Sequence, residues 1–291
     1  EIFENKDLVF SFEIFPPKTT SSVKTIYNTL EELKDLKPDF ISVTYGAGGS
    51  LVNNRTIELS SLVKEKYGVE SGAHLTCINS TKKEIYYILD NLKSKGIENV
   101  LALRGDIPEG QTLRGDFKYA YELISHIKER GDFNIAAACY PEGYVRGRDL
   151  KEDLMHLKLK EESGASHFIS QLFFDNNYFY NFLEEKDKLN IKSSIEAGIM
   201  PVTNKAQIER ITSLCGATLP EKFVKIVNKY EHDKEALRDA GIAYAVEQIV
   251  DLVSSGVQGI HLYTMNNPYV ARKITESIDS IRNSINKKRV V

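Results

Sequence analysis

The chain has 291 residues, 42% of them hydrophobic and 27% charged, enough to bury a sizeable core in one large α/β barrel or two smaller domains. A net charge of −3 gives no basic field, so neither nucleic acid nor an anionic membrane is expected as a partner. Three widely spaced cysteines (Cys77, Cys139 and Cys215) form no C-x-x-C pair, which argues against a disulfide framework and for a reducing cytoplasm.

From the first residues, EIFENKDLVF, which carry no signal-peptide pattern, the sequence alternates short β-branched runs with longer segments of helical period. None of the apolar runs approaches the roughly 20 residues of a membrane span. Strands are predicted at 8–15 (LVFSFEIF), 40–46 (FISVTYG), 71–78 (SGAHLTCI) and 99–106 (NVLALRGD). Four more follow at 133–140 (FNIAAACY), 166–174 (SHFISQLFF), 193–202 (SSIEAGIMPV) and 259–265 (GIHLYTM). Gly68, Gly96, Gly131 and Gly164 stand where helix C-caps belong, and Thr81 with Glu84 fits a capping box. Strand–helix units without a composition break read as a single (β/α)8 TIM-type barrel over residues 1–291. The segment LPEKFVKIVNKYE adds an extra helix before the last strand. A doubly wound sheet could hold such units too, but a count of eight favours the barrel.

Behind the second strand, VTYGAGGSLVNNR packs Gly46, Gly48 and Gly49 into a G-x-G-G turn. It matches a dinucleotide fingerprint only in part, because the third glycine is missing. The polar residues are more telling. Alternate side chains of a strand face opposite ways. If Phe10, Phe12 and Ile14 pack on helices, Glu13 points into the barrel, and the same parity turns Thr44, His74 and Gln171 inward. Arg104 and Asp106 end the fourth strand, Tyr140 ends the fifth and Asp175 follows the sixth, all at the C-terminal strand ends where barrels build their sites. Taken singly, these residues have plainer roles: an acid near a strand end is more often a cap or ion-pair partner, and a histidine such as His74 more often a core residue. Glu13, however, lies in FEIFPP, and desolvation by such neighbours raises a carboxyl pKa, as a general acid requires. The six histidines show neither H-x-H nor H-E-x-x-H, so no catalytic metal is expected.

FSFEIFPPKT, ISVTYGAGG, AHLTCI, LALRGDIP, AAACYPEG, SQLFFDN, GIMPVTN and GIHLYTMN follow one another along the chain. Together they resemble methylenetetrahydrofolate reductase of the bacterial, catalytic-domain-only type. The resemblance implies a (β/α)8 barrel carrying non-covalent FAD that reduces 5,10-methylenetetrahydrofolate to 5-methyltetrahydrofolate with NAD(P)H. It makes Glu13 the general acid that protonates the folate N10 and opens the ring to a 5-iminium cation, which takes hydride from the flavin. Asp106 becomes the charge beside the flavin, and Gln171 the amide bridging substrate and nicotinamide positions. Thr44, Tyr45, Ala47, His74, Arg104, Gly105, Tyr140, Tyr144, Asp153, His156 and Lys160 become FAD-contacting positions, and Glu13, Thr44, Gln171 and Asn267 substrate-contacting ones.

Three positions depart from the family pattern. Tyr144 stands where a histidine is frequent, and Lys205 where many members carry an aromatic residue. Asn267 replaces an arginine that would meet the folate's glutamate tail, leaving that role to another cation such as Lys205 or Lys18. The resemblance also implies a cytoplasmic homo-oligomer, dimer or tetramer. Two other readings stay open: a folate reductase fed electrons by an iron–sulfur or zinc partner subunit, and a non-catalytic flavin-binding scaffold.

Overall fold

The computed structural model describes residues 2–16, 23–45, 50–106, 115–144 and 149–287. Eight strands follow one another around a closed barrel in chain order. They are β1 (Val9–Ile14), β2 (Phe40–Val43), β3 (Glu70–Thr76), β4 (Asn99–Leu103), β5 (Asn134–Cys139), β6 (His167–Ser170), β7 (Ser194–Ile199) and β8 (Gly259–Tyr263). Among the described residues, α1 (Ile2–Asn5) precedes β1, and α2 (Val23–Leu33) through α7 (Asn176–Lys188) alternate with the strands as α3 (Ser50–Tyr67), α4 (Lys82–Ser94), α5 (Ala120–Arg130) and α6 (Leu150–Glu162). Between β7 and β8 lie α8 (Lys205–Cys215), α9 (Glu221–Tyr230) and α10 (Lys234–Ser254), and α11 (Pro268–Lys287) closes the described chain. The extra helix expected before the last strand is α9.

The local signals act as read. Thr81 Oγ1 accepts the Glu84 N–H at 3.3 Å while the Glu84 carboxylate takes the Thr81 N–H at 2.7 Å, the reciprocal capping box. The four cap glycines all have positive φ, from +65° at Gly68 to +147° at Gly131, which side chains with a Cβ rarely adopt.

The chain divides into two compact units. One comprises Phe12–Ala138 and Met155–Phe168. Its parallel strands align Val43 with Ala73, Ala73 with Val100 and Val100 with Ile135, a row buried under α3 and α5. The opposite parity carries Ser42 and His74, whose side chains meet at 3.1 Å. This is the strand alternation the sequence predicts.

The other unit comprises Glu1–Ser11, Cys139–Leu154 and Ile169–Val291. Here the last three strands end earlier than predicted, the eighth at Tyr263 rather than Met265. The sixth stops at Ser170 rather than Phe174, because Leu172 and Phe174 leave the sheet to join a core with Met200, Val202, Ile208 and Phe223. Phe174 stacks on Phe223 of α9 with centroids 4.8 Å apart. The seventh stops at Ile199, before Met200, Pro201 and Val202, and Pro201 could not donate to a ladder. Both runs are apolar because they are buried, and burial alone does not separate a strand from a packed loop. Gly241 lets α10 approach that loop: a Cβ there would fall 1.7 Å from the Val202 carbonyl oxygen.

Candidate active-site residues

In the unit built on Phe12–Ala138, the penultimate residue of β1 supplies the carboxylate. Glu13 Oε2 lies 3.6 Å from His74 Nε2, with Glu13 19% and His74 6% exposed. The same imidazole nitrogen stands 3.1 Å from Ser42 Oγ, so adjacent strands β1, β2 and β3 each place one polar side chain in the cluster. Just beyond β2, the Thr44 N–H donates to Ile14 O at 2.9 Å and its carbonyl accepts Thr56 Oγ1 at 3.0 Å. Both Thr44 and Tyr45 are partly exposed. Ala47, with the glycines of the same turn, lies outside the described residues.

After β4, the Arg104 carbonyl accepts the Ile78 N–H at 2.8 Å and its Nε donates to Lys118 O at 3.0 Å, which holds the guanidinium. Gly105 has φ +81°, and a Cβ there would meet Ile78 Cγ2 at 3.0 Å and Thr76 Cβ at 3.1 Å, so the turn demands glycine. Asp106 follows it and is exposed. Cys77 is buried beneath the same turn, and desolvation pushes its thiol up to about 12, which keeps it unreactive.

Lys160 would read as helix surface from its charged surroundings. In the structure its Nζ donates to Ala138 O in β5 at 2.7 Å and is partly buried. His156 stacks on Tyr119 at 5.1 Å, and Tyr119 on Tyr121 at 5.3 Å, an aromatic stack of partly exposed rings. Tyr119 and Tyr121 belong to none of the motifs above. The alternating aromatics of KYAYE after the fourth strand are the signal that could have found them. Arg104 and Lys160 are cations of a chemistry suited to phosphate, and His156, Tyr119 and Tyr121 are flat rings of a kind suited to stacking on a ring-bearing cofactor.

In the other unit, Tyr140 and Tyr144 meet edge to face at 4.9 Å, and the Tyr144 N–H donates to Asp153 Oδ2 at 2.6 Å. The Gln171 N–H donates to Cys139 O at 2.8 Å. Just before it, Ser170 Oγ accepts the Gly198 N–H at 2.8 Å and Ser170 O accepts the Tyr263 hydroxyl at 2.7 Å. The end of β6 is therefore held from β7 and β8, and Gln171 is the first residue past it. A Cβ at Gly198 would fall 2.2 Å from Ser170 O and 2.8 Å from Tyr263 Cε2, so only glycine fits there.

Asn267 Oδ1 accepts the Val270 N–H at 3.3 Å and caps α11, directly after a turn in which Met265 and Asn266 both have φ +52°. Asp175 also serves as a cap, its Oδ1 accepting the Asn177 N–H at 3.0 Å. Here the plain reading of an acid beyond a strand end holds. Lys205 forms a close ion pair with Glu231 and donates to Asn228 Oδ1 at 3.1 Å.

The family profile of methylenetetrahydrofolate reductase matches residues 1–279. The 5,10-methylenetetrahydrofolate reductase of Pectobacterium carotovorum is 33% identical over 92% of the chain and 89% of its own length. Methylenetetrahydrofolate reductase (NADH) 1 of Arabidopsis thaliana is 34% identical over 91% of the chain, which spans only 47% of that plant protein. In three dimensions the chain is similar to a Clostridium thermocellum protein that binds two copies of 5-methyl-5,6,7,8-tetrahydrofolic acid. The TM-score is 0.65 over 97% of this chain and 98% of that one, and at 11% identity the likeness is one of fold.

Proposed function

The chain belongs to the methylenetetrahydrofolate reductase family, and from that premise we propose that it is an FAD-dependent enzyme reducing 5,10-methylenetetrahydrofolate to 5-methyltetrahydrofolate with NAD(P)H. The observation that carries the reading is the Glu13–His74–Ser42 cluster: a partly enclosed carboxyl at a strand end, oriented by a buried imidazole. Glu13 holds the proton given to the folate N10 as the methylene bridge opens. Asp106 adds negative charge that favours the resulting cation, and Gln171 offers an amide that can both donate and accept.

Arg104, Lys160, Thr44, Tyr45, Ala47, His74, Gly105, Asp106, His156, Tyr140, Tyr144 and Asp153 are the residues that would hold FAD. When bound, the flavin supplies the hydride. The NADH in the names of the plant relatives supports a nicotinamide donor. Asn267 would contact the folate, with its carbonyl oxygen engaged in the helix cap. The same reading places the protein in the cytoplasm as a homo-oligomer, and no described helix is long and apolar enough to cross a membrane.

The test is a visible absorption spectrum of the purified protein, taken before and after anaerobic NADH and then after methylenetetrahydrofolate. Flavin bands that bleach with NADH and return with the folate support the whole reading. Bands untouched by NADH move the electron source to a partner subunit. A protein that takes up no FAD overturns it.

A further inference from the structure

We infer that Glu196 and Ser11 fix the proton of His261 on Nδ1, forming a buried triad that positions Tyr263 and, through it, the end of β6. Ser11 in β1, Glu196 in β7 and His261 in β8 are each fully buried at 0% exposure, and each is the third residue of its strand. Ser11 Oγ donates to Glu196 Oε1 at 3.0 Å and lies 2.6 Å from His261 Nδ1. A serine hydroxyl has one proton to give. With Glu196 ionised and that proton directed at its carboxylate, the contact to His261 is made only if Nδ1 is the donor and Oγ the acceptor.

The sequence makes room for the acid. The pairing of Ala197 with Ile260 sets Glu196 beside Gly259, where a Cβ would fall 2.6 Å from Glu196 Cγ. The order of contacts matters. In a hydrolytic triad the imidazole stands between acid and hydroxyl. Here the hydroxyl stands between acid and imidazole and is closed off from solvent, so Ser11 is no nucleophile.

What the triad can do is hold a ring. The His261 imidazole meets the Tyr263 ring at 5.3 Å and 90°. Tyr263 in turn donates to the Ser170 carbonyl at 2.7 Å, one residue before Gln171. Glu196, Ser11 and His261 are thus positioning residues. Their relevance to Gln171 rests on the reductase reading, whereas the proton assignment does not.

The experiment is nitrogen-15 NMR of the histidine side chains in the full chain at neutral pH, with His261 identified by the signal lost in His261→Gln. A protonated Nδ1 is expected in the wild type. In Glu196→Val, Ser11 is released to donate to the imidazole, and Nδ1 becomes the unprotonated acceptor. A wild-type His261 with unprotonated Nδ1 overturns the inference, as does a folded Glu196→Val variant that keeps Nδ1 protonated. If Glu196→Val does not fold, the wild-type spectrum alone decides. No flavin, folate or activity enters the readout, so the outcome is independent of the proposed reaction.

Discussion

Glu13 Oε2 and His74 Nε2 stand 3.6 Å apart at the end of β1, with Ser42 Oγ 3.1 Å from the same nitrogen. On the proposed mechanism the histidine orients the acid, and the acid is the group that moves a proton. Glu13→Gln preserves the shape and removes the titratable proton. On the proposed mechanism, this variant binds FAD and is reduced by NADH at a near wild-type rate. Its reoxidation by methylenetetrahydrofolate slows by roughly 10²–10⁴-fold, the usual worth of a general acid. Separate stopped-flow measurement of the two half-reactions checks this, and equal slowing of both would remove Glu13 from the acid role.

The pin on β6 predicts a second, thermodynamic result. Gly198→Ala places a methyl group 2.2 Å from Ser170 O, which requires the backbone or Tyr263 to shift and costs on the order of 1–3 kcal/mol. Gly68→Ala meets nothing within 4 Å and costs only its left-handed φ of +65°, about 1 kcal/mol. Urea denaturation should rank the two in that order. Only Gly198→Ala should also disturb turnover, because Gln171 follows Ser170.

Much of this was legible from letters. Strand parity turned Glu13 and His74 to one side because the alternation Phe10, Phe12, Ile14 is unbroken and fully buried. The caps were legible because Thr81, Glu84 and the cap glycines act within one turn of chain. Long-range partners were not. Glu196 in SSIEAGIM reads as one acid in an apolar strand until the barrel closes beside it, and Lys160 reads as a surface lysine until α6 lies against β5. Strand ends in apolar runs such as QLFF were hidden too, since a packed loop and a strand bury the same residues.

Lys205 illustrates a cation whose charge is already spent. With Asn267 in place of an arginine, it was a candidate for the folate's glutamate tail, but its ammonium is paired with Glu231 and bonded to Asn228. The pairing raises the lysine pKa, chiefly through the hydrogen bond to Glu231. Lys205→Ala is therefore expected to leave the ratio of KM values for mono- and polyglutamylated folate unchanged. Its urea midpoint should stay close to that of the wild type, because ion pairs open to solvent contribute little. A selective rise in KM for the longer tail would show that the lysine leaves Glu231 when substrate arrives.

Tyr244 on α10 ties that helix to the loop after β6, its hydroxyl donating to Phe174 O at 2.6 Å while its ring packs on Phe223. Burial pushes its phenol from 10.0 up to about 12. The unfolded chain gives up this proton near pH 10 and the folded chain keeps it to about pH 12. In that window the folded state binds more protons, so its stability falls as pH rises, whereas below it the contribution is fully present. Tyr244→Phe has no such proton. At neutral pH it should lose about 1–3 kcal/mol, because the Phe174 carbonyl loses its donor. Between pH 10 and 12 its urea midpoint should fall less steeply than that of the wild type. Parallel alkaline slopes would mean that the phenol ionises without breaking the tie between α10 and the β6 loop.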